Sequence, residues 1–183
     1  MLNVPNAITL LRLALIPPLA LQLLLRDYDT ALVLFVVSAL SDVADGLVAR
    51  RWNLHTRFGA IADPIADKLT MLTVTLVLAL QDQVPWWFAL VVVMRDVVIV
   101  SGAVAYQVLI GTVEMAPSRL SKLNTALEFL LLASVLAIGA GRLDGGAWWQ
   151  VLLLITLVSV LWSGVHYVLV WSRKAARAHR APR

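Results

Sequence analysis

Six apolar stretches, each about as long as a helix that crosses a bilayer core, restrict the fold of this chain more than any other feature of it. They run from about Ala7 to Leu25, Thr30 to Arg50, Ile61 to Gln81, Pro85 to Leu109, Leu120 to Ala140 and Ala147 to Ser172. Backbone in hydrocarbon must satisfy its hydrogen bonds internally, and runs of roughly 20 residues do so as helices. Little of the 183-residue chain lies between them, so no soluble catalytic domain fits. Composition agrees: 61% of residues are hydrophobic and 14% charged, against about 45–50% and about 25% in soluble domains. The expectation is an all-α polytopic membrane protein with six transmembrane helices and a single domain over 1–183. Pro17 and Pro18 are expected to kink the first helix. The opening lacks an early basic region and Arg12 interrupts its apolar run, so it does not read as a secretory signal. The absence of Cys excludes a disulfide framework, a zinc-cysteine site and a thiol nucleophile.

The links between the stretches alternate in charge. Residues 26–29 read Arg-Asp-Tyr-Asp, residues 81–85 carry no Lys or Arg, and residues 141–146 hold one Arg and one Asp. The other connections are basic: Arg50, Arg51 and Arg57, then Arg119 and Lys122, then a tail from about 173 to 183 with Arg173, Lys174, Arg177, Arg180 and Arg183. The positive-inside rule places both termini in the cytoplasm, and an even number of spans requires the same. Trp86-Trp87 and Trp148-Trp149 open the fourth and sixth stretches on the other side, as interfacial belt residues do. The formal charge of +4 is therefore assigned to loops facing anionic lipid heads and not to nucleic acid. A bacterial cytoplasmic membrane is the expected location.

Charged residues inside a span are costly, and here they cluster. Asp42 and Asp45, three apart, share one face of the second helix, and Asp63 and Asp67, four apart, share one face of the third. One short basic link joins the two helices, so the faces can meet near the inner surface. Four carboxylates there would repel one another. Hard divalent cations such as Mg²⁺ or Mn²⁺ prefer such oxygen ligands, and a pair of them clamps an in-line displacement at phosphorus. Gly46 and Ala49 leave room beside Asp45, and Arg50 can pair a phosphate in bidentate fashion. His55, His166 and His179 are scattered, and no Ser-His-Asp arrangement is apparent. The residues suggest a metal-assisted phosphoryl-type site at the cytoplasmic surface, acting on a lipid-soluble reactant. Two other classes stay open on residues alone: a cation transporter, whose charges usually lie nearer the midplane, and a basic membrane-surface binding protein using the tail.

The full string is Asp42-x2-Asp45-Gly46-x2-Ala49-Arg50-x8-Gly59-x3-Asp63-x3-Asp67. Eight fixed identities at fixed spacing arise by chance far less often than roughly once in a million at average usage. The string resembles in full the signature of the CDP-alcohol phosphatidyltransferase family. That resemblance implies that Asp42, Asp45, Asp63 and Asp67 hold two divalent cations that grip the pyrophosphate of a CDP-alcohol. It implies that Asp67 is also the general base on the acceptor hydroxyl. Gly46, Ala49, Arg50, Thr56 and Gly59 correspond to the CDP-diacylglycerol site, and Asn6 to Thr9 resemble the family's entry segment beside the cytidine. The family also implies a homodimer among membrane lipids.

The acceptor is read from later residues. Met94-Arg95-Asp96-Val97-Val98 and Ser118-Arg119-Leu120-Ser121-Lys122-Leu123-Asn124-Thr125 most resemble the eukaryotic-type, CMP-forming cardiolipin synthase branch. The phosphatidylglycerophosphate synthase branch is similar around Asp63 to Lys68, but usually has Arg-Glu and a second Lys at these later points. Arg95, Arg119 and Lys122 can neutralise an acceptor phosphate, whether that of phosphatidylglycerol or of glycerol 3-phosphate. Asn124 in place of a second Lys favours the less charged phosphodiester. Arg95 and Asp96 have a second, less favoured reading as a structural ion pair within the membrane.

Overall fold

The computed structural model describes the backbone of residues 4–52, 57–109 and 119–180, and side chains over 8–42, 65–102 and 121–167. The described residues form six α-helices: α1 Val4–Leu24, α2 Tyr28–Trp52, α3 Arg57–Leu80, α4 Trp86–Leu109, α5 Arg119–Gly139 and α6 Ala147–Arg180. No strand occurs among them. Each apolar stretch is thus a helix, with ends close to those read from the sequence. The largest departure is α6, which carries the basic tail onward as helix to Arg180. Pro17 and Pro18 lie inside α1 without ending it. They withhold the N–H groups that would have bonded the carbonyls of Leu13 and Ala14.

The chain divides into two compact units, one of residues 1–84 with 132–145 and one of residues 85–131 with 146–183. In the first, α1 packs against both α2 and α3, and α2 touches α3. Thr9, Arg12, Leu19 and Leu23 are buried along α1, and Ala31, Phe35 and Ser38 along α2. These spacings of three, four and seven mark one buried stripe per helix. On α3 the stripe includes Ala66, Thr70, Val74 and Leu78.

Three chain reversals in this unit share one device. Arg26 (φ 60°), Asp82 (φ 57°) and Gly141 (φ 68°) adopt the left-handed conformation just past α1, α3 and α5. The next N–H in each case reaches back five residues: Asp27 to the Gln22 carbonyl, Gln83 to Leu78 and Arg142 to Ala137, each at 2.9 Å. This is the Schellman closure, which satisfies the last carbonyls of a helix. Asp27 then caps α2, accepting the Thr30 hydroxyl at 2.7 Å and the Thr30 N–H at 3.1 Å. The Thr30 hydroxyl bond, with the backbone bond behind it, holds the Asp27 carboxyl below its ordinary value.

Tyr28 ties these turns together. Its hydroxyl donates to Gln81 Oε1 at 2.9 Å, and Gln81 Nε2 donates to the Leu23 carbonyl at 2.6 Å. The Tyr28 ring lies over Gly139 so closely that a Cβ there would come within 2.8 Å of it. At the rim, Arg142 Nε donates to Asp29 Oδ1 at 2.6 Å between exposed side chains.

In the second unit α4 packs against α6. Phe88, Val92 and Arg95 are buried along α4, and Leu153, Thr156, Val160 and Ser163 along α6. Arg95 is the polar link between them: Nη1 donates to Asp96 Oδ1 at 2.7 Å and Nη2 to Ser163 Oγ at 2.9 Å. An apolar groove of about 460 Å³ runs beside it, lined by Leu90, Met94, Val98, Leu161 and Val165.

Large apolar side chains also line the exposed faces. Leu154, Ile155, Val158, Leu161, Trp162 and Val165 are all exposed on α6. Among the described residues, Ser121–Gly139 and Ala147–Tyr167 are long and apolar enough to cross a membrane, and Ile8–Leu24 is a shorter apolar helix.

Two substitutions test this packing. Gly139→Val is expected to lower the thermal unfolding midpoint in detergent more than Tyr28→Phe. The first forces the ring off its seat, whereas the second removes one hydrogen bond worth about 1 kcal/mol. Ser163→Ala is expected to cost about 1–3 kcal/mol, because it strips a buried guanidinium of an acceptor; an unchanged midpoint would show that Nη2 gains nothing from that bond.

Candidate active site

The acid motif falls on α2 and α3, the two helices that pack against α1 in the first unit. Asp42 and Asp45 stand less than one turn apart on α2, and Asp63 and Asp67 a little over one turn apart on α3. Asp42 is exposed and Asp67 half-buried. Asp45 and Asp63 lie within described backbone, with side chains outside the described ones. Polar side chains continue from these acids along the helices. Ser38 is buried one turn before Asp42, and Thr70 is buried just after Asp67, its hydroxyl donating to the Ala66 carbonyl at 2.9 Å.

The facing segment of α1 supplies Thr9 and Arg12, three residues apart and both buried. Arg12 is the largest of the fully buried side chains, at 1% exposure. Its Nη1 lies 2.7 Å from Asp42 Oδ1, an ion pair between a sealed cation and a carboxylate 48% exposed. The contact is short but poorly aligned. None of Nε, Nη1 and Nη2 has a partner with hydrogen-bond geometry among the described residues.

The other predicted contacts to the cytidine and the lipid diphosphate are placed by backbone alone. Asn6 lies in the first turn of α1, Gly46, Ala49 and Arg50 follow Asp45 on α2, and Gly59 lies in the first turn of α3. Thr56 lies outside the described residues. Of the residues predicted for the acceptor phosphate, Arg119 opens α5 and Lys122 is exposed one turn later. Arg95 is sealed at 7% exposure with both Nη atoms engaged, the geometry of the structural ion pair that the sequence also allowed. Two residues past Lys122 on α5 comes a feature not predicted: Asn124 is wholly buried, and neither atom of its amide has a hydrogen-bond partner among the described residues.

The donor set bears on a metal. Asp42 and Asp67 offer only oxygen, on helices in contact, which suits Mg²⁺ or Mn²⁺ and disfavours softer ions. No group of three or more acidic or histidine side chains gathers among the described residues, whose side chains include two of the four acids. What sequence reasoning missed is Arg12. It registered only as a break in an apolar run, although a lone Arg in such a run is itself a signal.

Known proteins place this arrangement. The chain is similar to a fission yeast (Schizosaccharomyces pombe) cardiolipin synthase (CMP-forming) / mitochondrial hydrolase fusion protein, 37% identical over 147 residues that cover 71% of this chain and 24% of the fusion. It is similar to the rat (Rattus norvegicus) cardiolipin synthase (CMP-forming), 30% identical over 151 residues covering 74% of this chain and 50% of the enzyme. It is also similar to the CDP-diacylglycerol–glycerol-3-phosphate 3-phosphatidyltransferase of Rickettsia typhi, 36% identical over 143 residues covering 76% and 79% of the two chains. The chain thus spans half or less of the length of these two cardiolipin synthases. The sequence profile of one family runs through all six helices, from residue 2 to residue 162, and by that match the chain belongs to the CDP-alcohol phosphatidyltransferase family.

Proposed function

We propose that this protein is a membrane phosphatidyltransferase that moves the phosphatidyl group of CDP-diacylglycerol to phosphatidylglycerol, giving cardiolipin and CMP. The observation that carries the reading is the complete eight-residue acid motif on α2 and α3, helices in contact with each other and with α1. Family membership favours transfer over cation transport. The names of the yeast and rat relatives favour phosphatidylglycerol as acceptor. The Rickettsia relative supports a second reading, with glycerol 3-phosphate as acceptor and the same acids at work. In this reading the chain makes six spans with both termini cytoplasmic, in a bacterial cytoplasmic membrane and as a homodimer; the apolar outward faces support the membrane setting. A water-soluble helix would carry charge where α6 carries Leu154, Val158 and Trp162.

In this reading Asp42, Asp45, Asp63 and Asp67 hold two divalent cations, Mg²⁺ or Mn²⁺. When bound, such ions would neutralise a diphosphate and the phosphate of departing CMP. The chain's own residues do the rest. Gly46 and Ala49 admit the diphosphate to the α2 backbone, Arg50 pairs with it, and Asn6, Thr9, Thr56 and Gly59 border the nucleotide. Asp67 takes the proton from the primary hydroxyl of the acceptor glycerol. The freed oxygen attacks the phosphorus that bears diacylglycerol. The bond from that phosphorus to the bridging oxygen breaks, and CMP leaves with the electron pair. Arg95, Arg119 and Lys122 supply positive charge for the acceptor phosphate; Lys122 is exposed, and Arg95 contributes its charge from a buried, hydrogen-bonded position.

Three outcomes are expected. Asp67→Asn abolishes turnover of CDP-diacylglycerol by at least about a thousandfold while its unfolding midpoint stays close to wild type; near-normal turnover would remove Asp67 as the base. Chelation by EDTA stops turnover and added Mg²⁺ or Mn²⁺ restores it; full activity in thoroughly chelated protein would remove the metals. Purified protein in mixed micelles, given CDP-diacylglycerol with both acceptors, yields cardiolipin and CMP by mass spectrometry. Phosphatidylglycerophosphate as the main product would move the reading to its second form.

A further inference from the structure

The buried arginines of this chain behave differently, and the contrast is informative. Arg95 spends its two Nη groups on Asp96 and Ser163, at 2.7 and 2.9 Å. Its Nε alone lacks a hydrogen-bond partner among the described residues, so its neighbours account for most of its burial. Arg12 is more deeply sealed, at 1% exposure, yet has only the poorly aligned contact with Asp42 Oδ1, and none of its three nitrogens is properly hydrogen-bonded among the described residues. A guanidinium carries five N–H donors in a fixed fork. Leaving such donors unmade in a sealed site costs far more than leaving them in water. Asp42 does not need this partner for its own sake, since its carboxylate is 48% exposed. The burial of Arg12 is therefore explained by an anion that joins Asp42 in facing it.

The charges of the site ask for the same thing. In the reading above, four motif carboxylates and two divalent cations cancel. A diphosphate diester brings two further negative charges, and cations of the chain must balance them. Arg50 on α2 supplies one. Arg12 is a second cation, held against a motif acid. Its planar fork matches two oxygens of one phosphate, as a lysine could not. Thr9, buried three residues earlier on α1, belongs to the segment predicted to border the cytidine.

We propose that Arg12 is a phosphate contact of the transferase, resting on the reading above. It faces Asp42 through Nη1 and gives its remaining N–H groups to non-bridging oxygen of the diphosphate that joins the cytidine to the lipid. It is a substrate-binding residue for the donor and takes no part in acceptor recognition.

The test uses the full chain in detergent micelles, with Arg12→Gln and Arg12→Lys beside wild type. Binding of CDP in the presence of Mn²⁺ is measured by calorimetry, binding of Mn²⁺ alone by electron paramagnetic resonance, and KM for each substrate by CMP release. Arg12→Gln is expected to weaken CDP and raise the KM for CDP-diacylglycerol at least tenfold. The KM for phosphatidylglycerol and the affinity for Mn²⁺ alone are expected to stay within twofold. Arg12→Lys, which keeps the charge and loses the fork, is expected to fall between. A folded Arg12→Gln with CDP affinity within twofold of wild type would overturn the assignment. So would a parallel loss of Mn²⁺ binding, which would make Arg12 a support for Asp42 alone. Failure of both variants to fold would make it a structural counter-ion and overturn it equally. Wild-type protein that neither binds CDP nor consumes CDP-diacylglycerol would overturn the transferase reading itself, and the proposal with it.

Discussion

A guanidinium shut away from water on α1 has to be answered by a negative charge, and in this protein the answer comes from α2. The pairing of Arg12 with Asp42 sets a condition on how those two helices meet. Apolar side chains along α1 and α2 would tolerate sliding or rotation by a fraction of a turn, since leucine against phenylalanine is forgiving. A charge pair is not, because displacement leaves a buried cation alone at a cost of several kcal/mol. The pair thereby fixes the rotation of α1 against the helix that carries the first two acids of the motif. The same demand that makes the arginine expensive makes the site specific in its geometry.

The first unit places its turn chemistry and its charge chemistry at opposite ends of its helices. Arg26, Asp82 and Gly141 close helices with left-handed residues, and Tyr28 and Gln81 bind the ends of α1, α2 and α3 to one another. These contacts involve no charged group in the interior. The acids begin at Asp42, fourteen residues along α2 from Tyr28, or about 21 Å of helix. A unit arranged in this way can hold its shape by ordinary caps and side-chain bonds while its other end carries like charges that oppose packing.

Much of this was legible in the sequence. Long apolar runs gave six helices because a helix is the local solution to backbone in an apolar setting, and their ends fell near turns rich in Gly, Asp and Arg. The acid motif was legible because helix periodicity alone decides which acids share a face. The partners across helices were not. That Arg12 meets Asp42, or that Arg95 meets Ser163 sixty-eight residues later, depends on how helices cross and rotate, which no local spacing encodes. The buried amide of Asn124 was hidden for the same reason: its chain neighbours Leu123 and Thr125 say nothing of what closes over it. The helical course of the basic tail to Arg180 was also missed, because a run of charge reads as a solvated tail until α6 is seen to run on through it with Ala175, Ala176 and Ala178 as good helix formers.

The knot of contacts around Tyr28 has a mechanical meaning. Helices pinned at one end act as levers, and here the arm from the pin to Asp42 is about 21 Å long. A displacement of about 1 Å at a reacting centre is enough to slow chemistry by orders of magnitude, and over such an arm it corresponds to a tilt of about 3°. The angle at which Tyr28 seats on Gly139 and Gln81 grips Leu23 is therefore an angular gauge for the acid end. A change in these small, uncharged contacts that tilts α2 is therefore felt at Asp42 as well as in the unfolding midpoint.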